Sequence, residues 1–353
     1  MYVAWRDLRF ARGRFALIGA VVALITLLVG FLAGLTGGLA AQNVSAVLAL
    51  PGDRLVLQPV GDAAATFGES AIGDATVAAW RDAAGVTGVV PIGILQSRAE
   101  GPSASGAVAL FGLDSPAFAL NVSSDTDAAL SAGAAKTLGA SVGSEVTIAG
   151  EGFRVASVGD DLSYSHTPVV ALTSTAWKTL AQRLGGTGAA TVLAVSGDPV
   201  WDAVATDTGT TASTPLASLP ALPTFRSEIG SLGLMIAMLF GVSALVVGAF
   251  FTVWTMQRAG DVAVLKALGA STPALVRDTL GQALVVLIVG VGVGIALTAA
   301  LGALAGGALP FVLSPLTTLA PALVMIALGV LGAAVSLRTV TKSDPLTALG
   351  STR

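Results

Sequence analysis

Four long, almost unbroken apolar stretches set the terms for this chain: Phe15–Ala41, Ile229–Thr255, Leu280–Leu304 and Leu319–Leu337. A helix needs roughly 20 mostly apolar residues to cross bilayer hydrocarbon, and each stretch reaches that length. Lipid offers no partner to backbone N–H and C=O groups, so continuous runs of this kind satisfy them internally as helices. Composition agrees: 54% of the residues are hydrophobic and 11% charged, against about a quarter charged in soluble domains. Cysteine is absent, which excludes disulfide frameworks, thiolate metal sites and cysteine nucleophiles.

The expected fold is a membrane α-helical one with four transmembrane helices, one before and three after an inserted extracellular α+β domain. The expected divisions are an N-terminal amphipathic cytoplasmic helix (1–14), the first span (15–41), the inserted domain (42–225) and the second span (226–255). A cytoplasmic segment (256–278), the third span (279–304), a short extracellular loop (305–318), the fourth span (319–338) and a cytoplasmic tail (339–353) follow.

Charge orients the spans. Arg6, Arg9, Arg12, Arg14, Arg258, Lys266, Arg277, Arg338, Lys342 and Arg353 fall on one side with only Asp7, Asp261, Asp278 and Asp344. The 42–225 insert reverses this, with sixteen Asp/Glu against seven Lys/Arg. Cytoplasmic loops carry the Lys/Arg excess, so both termini are expected inside and the insert outside. A cleaved secretory leader is the competing reading of the first span. Its apolar stretch of about 25 residues exceeds the 7–15 of a signal peptide, so a retained span is expected.

Within the insert, "DRLVLQPV", "VTGVVPIGIL", "GAVALFGL", "SEVTIAG", "FRVASVG", "TPVVALT" and "ATVLAVSG" read as strands. "TVAAWRDAAG" and "STAWKTLAQRLGG" have helical spacing, the latter with a Ser/Thr start and a Gly-Gly stop. Pro215, Pro220 and Pro223 suggest an extended return to the membrane. No catalytic constellation is present. His166, beside Tyr164 in "LSYSHTPVV", is the one histidine of the chain and reads as a surface or hydrogen-bonded residue, while Asp160–Asp161 reads as a turn. The phosphate-binding pattern G-x-x-x-x-G-K-[ST] is missing. The chain is expected to be non-enzymatic, with no nucleic-acid partner and no cofactor of its own.

Between the second and third apolar stretches lies "TMQRAGDVAVLKALGASTPALVRDTLGQ". Asp261 suits a helix N-terminus, and Val262, Leu265 and Leu268 recur every three residues. Gly269 can stop a helix in the left-handed conformation, and Thr272–Pro273 starts another. A short amphipathic helix, 261–268, is expected. Lys266 is its only internal cation, which favours docking into a partner's groove over resting on anionic lipid.

"MQRAGDVAVLKALGAS" resembles the segment that follows the second span in MacB/FtsX-type ABC exporter permeases. Lys266, Ala267, Leu268, Gly269 and Ala270 are retained, while Gly260, Asp261 and Val262 replace the usual Arg-Glu-Ile. "SDPLTALG", with Asp344, Pro345, Ala348 and Leu349, resembles the closing motif, and "LSAGAAKTLGASVGSEVTIAG" resembles part of the outside domain. The resemblance implies a P-loop ABC ATPase partner in two copies, a second copy of this chain, and ATP bound by the partner. It implies that Asp261, Val262, Leu265, Lys266, Leu268 and Gly269 couple to that ATPase, and that Trp5, Leu8, Ala11 and Phe15 form the apolar side of an interfacial helix.

Two small-xxx-small patterns, Gly30/Gly34 and Gly290/Gly294, mark candidate helix interfaces. Glu228 stands at the outer end of the second span, and an ionisable residue there is a functional candidate. The chain further resembles haem-exporting permeases of Gram-positive bacteria. On that resemblance Glu228 and Met235 are candidate iron ligands, with Met238, Phe225 and Phe240 beside them, Phe250 and Phe251 as further lining, and Tyr164 and His166 as alternative ligands. Haem would be cargo, taken laterally from the outer leaflet. A peptide antibiotic, drug or lipid is an alternative cargo, and an FtsX-like switch for a cell-wall hydrolase is an alternative role.

Overall fold

The computed structural model describes residues 12–257, 271–305 and 309–341, with the single positions 260, 264 and 269. The chain divides into two compact units, Leu39–Gly230 and the remainder. In order, the elements are α1 (Arg12–Leu48), β1 (Arg54–Leu57), α2 (Asp74–Asp82), β2 (Val86–Glu100), β3 (Ser105–Gly112) and β4 (Asp127–Ser131). Next come α3 (Ala132–Leu138), β5 (Glu145–Ile148), β6 (Glu151–Gly159), β7 (Ser163–Tyr164), β8 (Thr167–Leu172) and α4 (Ser174–Arg183). The rest are β9 (Val192–Gly197), α5 (Trp201–Asp207), β10 (Thr211–Ser213), a 3₁₀ turn (Leu219–Ala221), α6 (Pro223–Gln257), α7 (Thr272–Ala305) and α8 (Pro315–Thr341). The stretches Phe15–Leu48, Pro223–Gln257, Pro273–Ala305 and Pro315–Val335 are each long and apolar enough to cross a membrane.

The unit Leu39–Gly230 is built on a ten-stranded mixed sheet, ordered β10-β1-β9-β2-β3-β8-β4-β6-β5, with β7 paired to β8. Fifteen-residue β2 organises it. Its first half pairs with β9, its second half with β3, and its tip at Ala99–Glu100 reaches β5. That last pairing closes β2-β3-β8-β4-β6-β5 into a ring, which removes the free edge β5 would otherwise present.

Side chains alternate between the faces of a strand, and here both faces are buried. Val56, Leu193 and Val195 pack with Val77 and Trp80 of α2, whereas Leu55, Leu57, Val192 and Ala194 join a second cluster containing Val44, Ala46 and Val47 of α1. Likewise Val108, Leu110, Val170 and Leu172 pack under α3 and α4, while Ala109, Phe111, Val169 and Ala171 join the cluster that holds the end of α1. Helix caps follow the sequence: Ser131 Oγ accepts from Ala134 N and Thr173 Oγ1 accepts from Ala176 N, both at 3.2 Å.

Two boundaries differ from the sequence expectation. Helix α1 does not stop at Ala41 but runs to Leu48. The hydropathy of "QNVSAVL" drops because Asn43 and Ser45 make polar contacts, while Val44 and Val47 enter the sheet unit's core. The proline-rich return is not extended throughout. Pro220 lies in a 3₁₀ turn and Pro223 begins α6, where a missing N–H costs nothing.

The helical unit is held by close backbone approaches. A Cβ on Gly294 of α7 would lie 2.5 Å from Thr26 Cβ and 2.7 Å from Ala23 O of α1. One on Gly290 would meet Val22 at 2.9 Å and Gly19 O at 3.0 Å. Both patterns are thus consumed inside one chain, since Gly30 abuts Thr298 and Gly34 faces Phe311. Hydroxyls within the helices, including Ser243, Thr252, Thr255 and Thr298, donate to carbonyls four residues earlier, which satisfies them without water.

Candidate functional site

Three segments distant in sequence converge in the unit Leu39–Gly230: the last turns of α1, the β7–β8 hairpin and the first turn and a half of α6. The hairpin has a two-residue loop, Ser165–His166, with φ of 47° and 63°. A type I′ turn requires positive φ at both positions, which Asn-Gly meets easily and Ser-His does not. Left-handed backbone at a residue other than glycine costs roughly 1–3 kcal/mol. Helix α1 holds the strained turn: Ser165 N donates to Asn43 O and His166 N to Gln42 O, both at 3.0 Å. Ser45 Oγ accepts from Ser163 N at 2.8 Å and donates to Ser163 O at 3.3 Å.

This clamp aims the imidazole at α6. His166 Nε2 lies 2.8 Å from Glu228 Oε1. Asn43 Nδ2 donates to the other oxygen, Oε2, at 3.2 Å. Asn43 is itself fixed, fully buried, with Oδ1 accepting from Thr224 Oγ1 at 3.0 Å. Since Thr224 spends its proton on Asn43, the 3.2 Å contact between Ser165 and Thr224 has Ser165 Oγ as donor. With Glu228 ionised, His166 donates through Nε2–H; the Asn43 amide, 3.4 Å from the same nitrogen, is then a neighbour rather than a second partner. Both carboxylate oxygens are therefore engaged, although His166 and Glu228 remain about one-third exposed, at 31% and 35%.

The other sequence candidates separate. Tyr164 is a core residue, its ring 5.7 Å from Phe111 and 6.4 Å from Phe67, and burial pushes its phenol far above the usual value. Phe225 packs against the same core. In the helical unit, Phe240 and Phe250 pack around a cluster that includes buried Phe251. Met235 and Met238 are instead exposed, at 54% and 64%. Gly269 has φ of 95°, in the left-handed region that favours glycine. Asp261, Val262, Leu265, Lys266 and Leu268, with Trp5, Leu8 and Ala11, lie outside the described residues. Phe15 is described, in edge contact with Trp254 at 5.7 Å. Asp161 Oδ1 accepts from Gly133 N in the first turn of α3, a bond between segments 28 residues apart rather than within a turn, and no cluster of three metal-ligating side chains occurs among the described residues. Asn43 was missed as a site residue. Its only sequence signal is an amide in the polar "QN" step that closes the first apolar stretch.

Residues 233–345 match the C-terminal domain of FtsX-like permeases. That stretch is similar to the FtsX-like permease domain. Over its full length the chain is also similar to proteins named as hemin transport system permeases, HrtB. It is 24% identical to that of Staphylococcus haemolyticus over 376 residues, covering 99% of each chain. It is 22% identical to that of a Staphylococcus epidermidis strain over 375 residues, again covering 99% of each. Among solved structures, the match to the extracellular domain of the noncanonic ABC-type transporter YknZ from Gram-positive bacteria covers 46% of this chain and 98% of that one (TM-score 0.34, 12% identity). The periplasmic region of MacB from Actinobacillus actinomycetemcomitans covers 46% and 89% (TM-score 0.36, 11% identity). Four helices long and apolar enough to cross a membrane, one of which overlaps and two of which lie within the FtsX-like match, make the chain a multi-pass membrane protein. The FtsX-like match contains Met235, Met238, Phe240 and the 261–269 segment; Asn43, His166 and Glu228 lie outside it.

Proposed function

We propose that this permease exports haem, in a complex of two copies with two P-loop ABC ATPases that supply ATP hydrolysis. The chain itself is non-catalytic. The basic termini and 256–278 segment face the cytoplasm, and the acidic insert lies outside, as the Lys/Arg distribution favours. The 261–268 segment docks on the ATPase through Leu265 and Leu268, so nucleotide-driven closure of the ATPases shifts the paired permeases between two states.

One observation carries the choice of cargo: Glu228, on an apolar helix, is held by the chain's only histidine while keeping one-third of its side chain open. A carboxylate in such a place suits a charged, metal-centred amphiphile better than a neutral one. Met235 and Met238 follow along the same unbroken helix, and thioether sulfur is a known haem-iron ligand. Full-length relatives named for hemin transport support the same cargo.

Hemin added to the purified protein in lipid nanodiscs should shift the Soret band. Glu228→Ala should weaken that binding about ten-fold or more, the loss of a charge-assisted contact. No shift in wild type, alone or with its ATPase, removes the haem reading. Changing both Leu265 and Leu268 to Asp should leave hemin binding intact and abolish hemin-stimulated ATP turnover; unchanged coupling removes the proposed handle. The chain lacks cysteine, so single cysteines at Asp198 and Ser271 report sidedness with a membrane-impermeant maleimide. Labelling of Ser271→Cys rather than Asp198→Cys in intact cells would reverse the orientation.

A further inference from the structure

Both oxygens of Glu228 have donors, so a ligand that reaches the carboxylate competes with them. The donor on Oε1 is aimed by a turn held in two successive left-handed conformations, and that turn is tied to α1 through four hydrogen bonds, two at Ser163 and two at Ser165–His166. The donor on Oε2 is an amide buried completely and fixed in orientation by Thr224. The two differ in how readily they release the carboxylate. Asn43 cannot turn without breaking its bond to Thr224, whereas the His166 ring is partly exposed and can swing aside about its side-chain torsions.

We infer that His166 is a positioning and specificity-determining residue: it occupies Glu228 Oε1 until a metal-centred ligand displaces it, while Asn43 keeps the carboxylate in place. This rests on the haem reading and names the residue that guards the site. The imidazole N–H competes for one lone pair of Oε1. A Lewis-acidic iron can replace it there, whereas the apolar face of a porphyrin, drug or acyl chain cannot. The site therefore discriminates between a metalloporphyrin and its metal-free analogue through Glu228, with His166 setting the threshold. When iron binds Oε1, His166 loses its partner and the Ser165–His166 turn loses one of the contacts that offset its strain, so cargo binding is felt in the hairpin.

Because His166 is the only histidine, ¹⁵N-histidine labelling of the full chain in nanodiscs yields one imidazole to observe. Glu228→Gln should move its Nε2 resonance, and gallium protoporphyrin, a diamagnetic trivalent stand-in for ferric haem, should move the wild-type resonance too. Metal-free protoporphyrin should not. By Soret titration, His166→Ala should bind hemin roughly ten-fold more tightly, the scale of one hydrogen bond to a charged group. His166→Gln, which restores an N–H donor, should return to within about three-fold of wild type. Affinity for metal-free protoporphyrin should be the same in all three. Weaker hemin binding in His166→Ala makes the imidazole a ligand and overturns the inference. So does an imidazole resonance that ignores Glu228→Gln, or one that stays still while the hemin Soret band shifts. In these cases the haem reading stands. A wild type that binds neither hemin nor the gallium porphyrin removes both.

Discussion

In the unit Leu39–Gly230, glycine works where the chain turns. Gly139, for example, ends α3 with φ of 60° and ψ of 34°, and its N–H returns to Lys136 O. In the helical unit, glycine works where chains touch: Gly294 lies in regular helix, and its lack of a side chain lets α7 approach the backbone of α1. The reason is the solvent. A water-soluble sheet gains by burying Val, Leu and Phe, about 1.5–3 kcal/mol for each side chain fully removed from water. In lipid that gain vanishes between helices, and close van der Waals approach of small residues takes its place. Large apolar side chains accordingly go inward in one unit and largely outward in the other. Phe111 and Leu110 are fully buried, whereas Leu245 and Leu323 are 73% and 67% exposed.

Four substitutions sharpen this contrast, read by hydrogen exchange on the intact protein in nanodiscs so that each unit reports separately. The largest effect is expected from Trp80→Ala, which empties a fully buried position and removes the bond from Nε1 to Thr210 Oγ1. It should cost about 3–5 kcal/mol and loosen α2, α5 and the β1–β9 region only. Gly294→Leu should cost about 1–3 kcal/mol, the range for overpacking, with faster exchange confined to α1 and α7. Gly139→Ala forces a left-handed alanine and should cost about 1 kcal/mol at the α3 end. Leu245→Ala, despite removing the same kind of side chain that a soluble core prizes, should change stability by less than about 0.5 kcal/mol. A large loss at Leu245 would mean that this face packs against protein rather than lipid.

The four apolar helices were legible because burial in lipid writes a continuous pattern. Where each helix ends was less so: hydropathy reports the surroundings of a residue, and α1 changes surroundings after Ala41 without changing conformation. In the sheet, the Val/Ile-rich strands stood out, while β4, "DAALS", did not. Its two alanines have weak strand preference and are held by pairing with β6 and β8, which no local window contains. The site was half visible. Glu228 announced itself as a charge beside an apolar run, but Asn43 and His166 are 185 and 62 residues away from it in sequence. A lone histidine after "SYS" carries no periodicity that points to a partner. Only the strained hairpin, which folding creates, brings the three together.

The meeting of α6 and α8 at Gly248 and Gly332 has a mechanical corollary. A Cβ placed on Gly332 would sit 3.2 Å from Gly248 Cα, so the two rods touch backbone to backbone with no interlocked teeth at their nearest point. Sliding or rolling there requires no rotamer to flip and opens no hole. A contact of this kind can serve as a bearing, where two rods glide past one another.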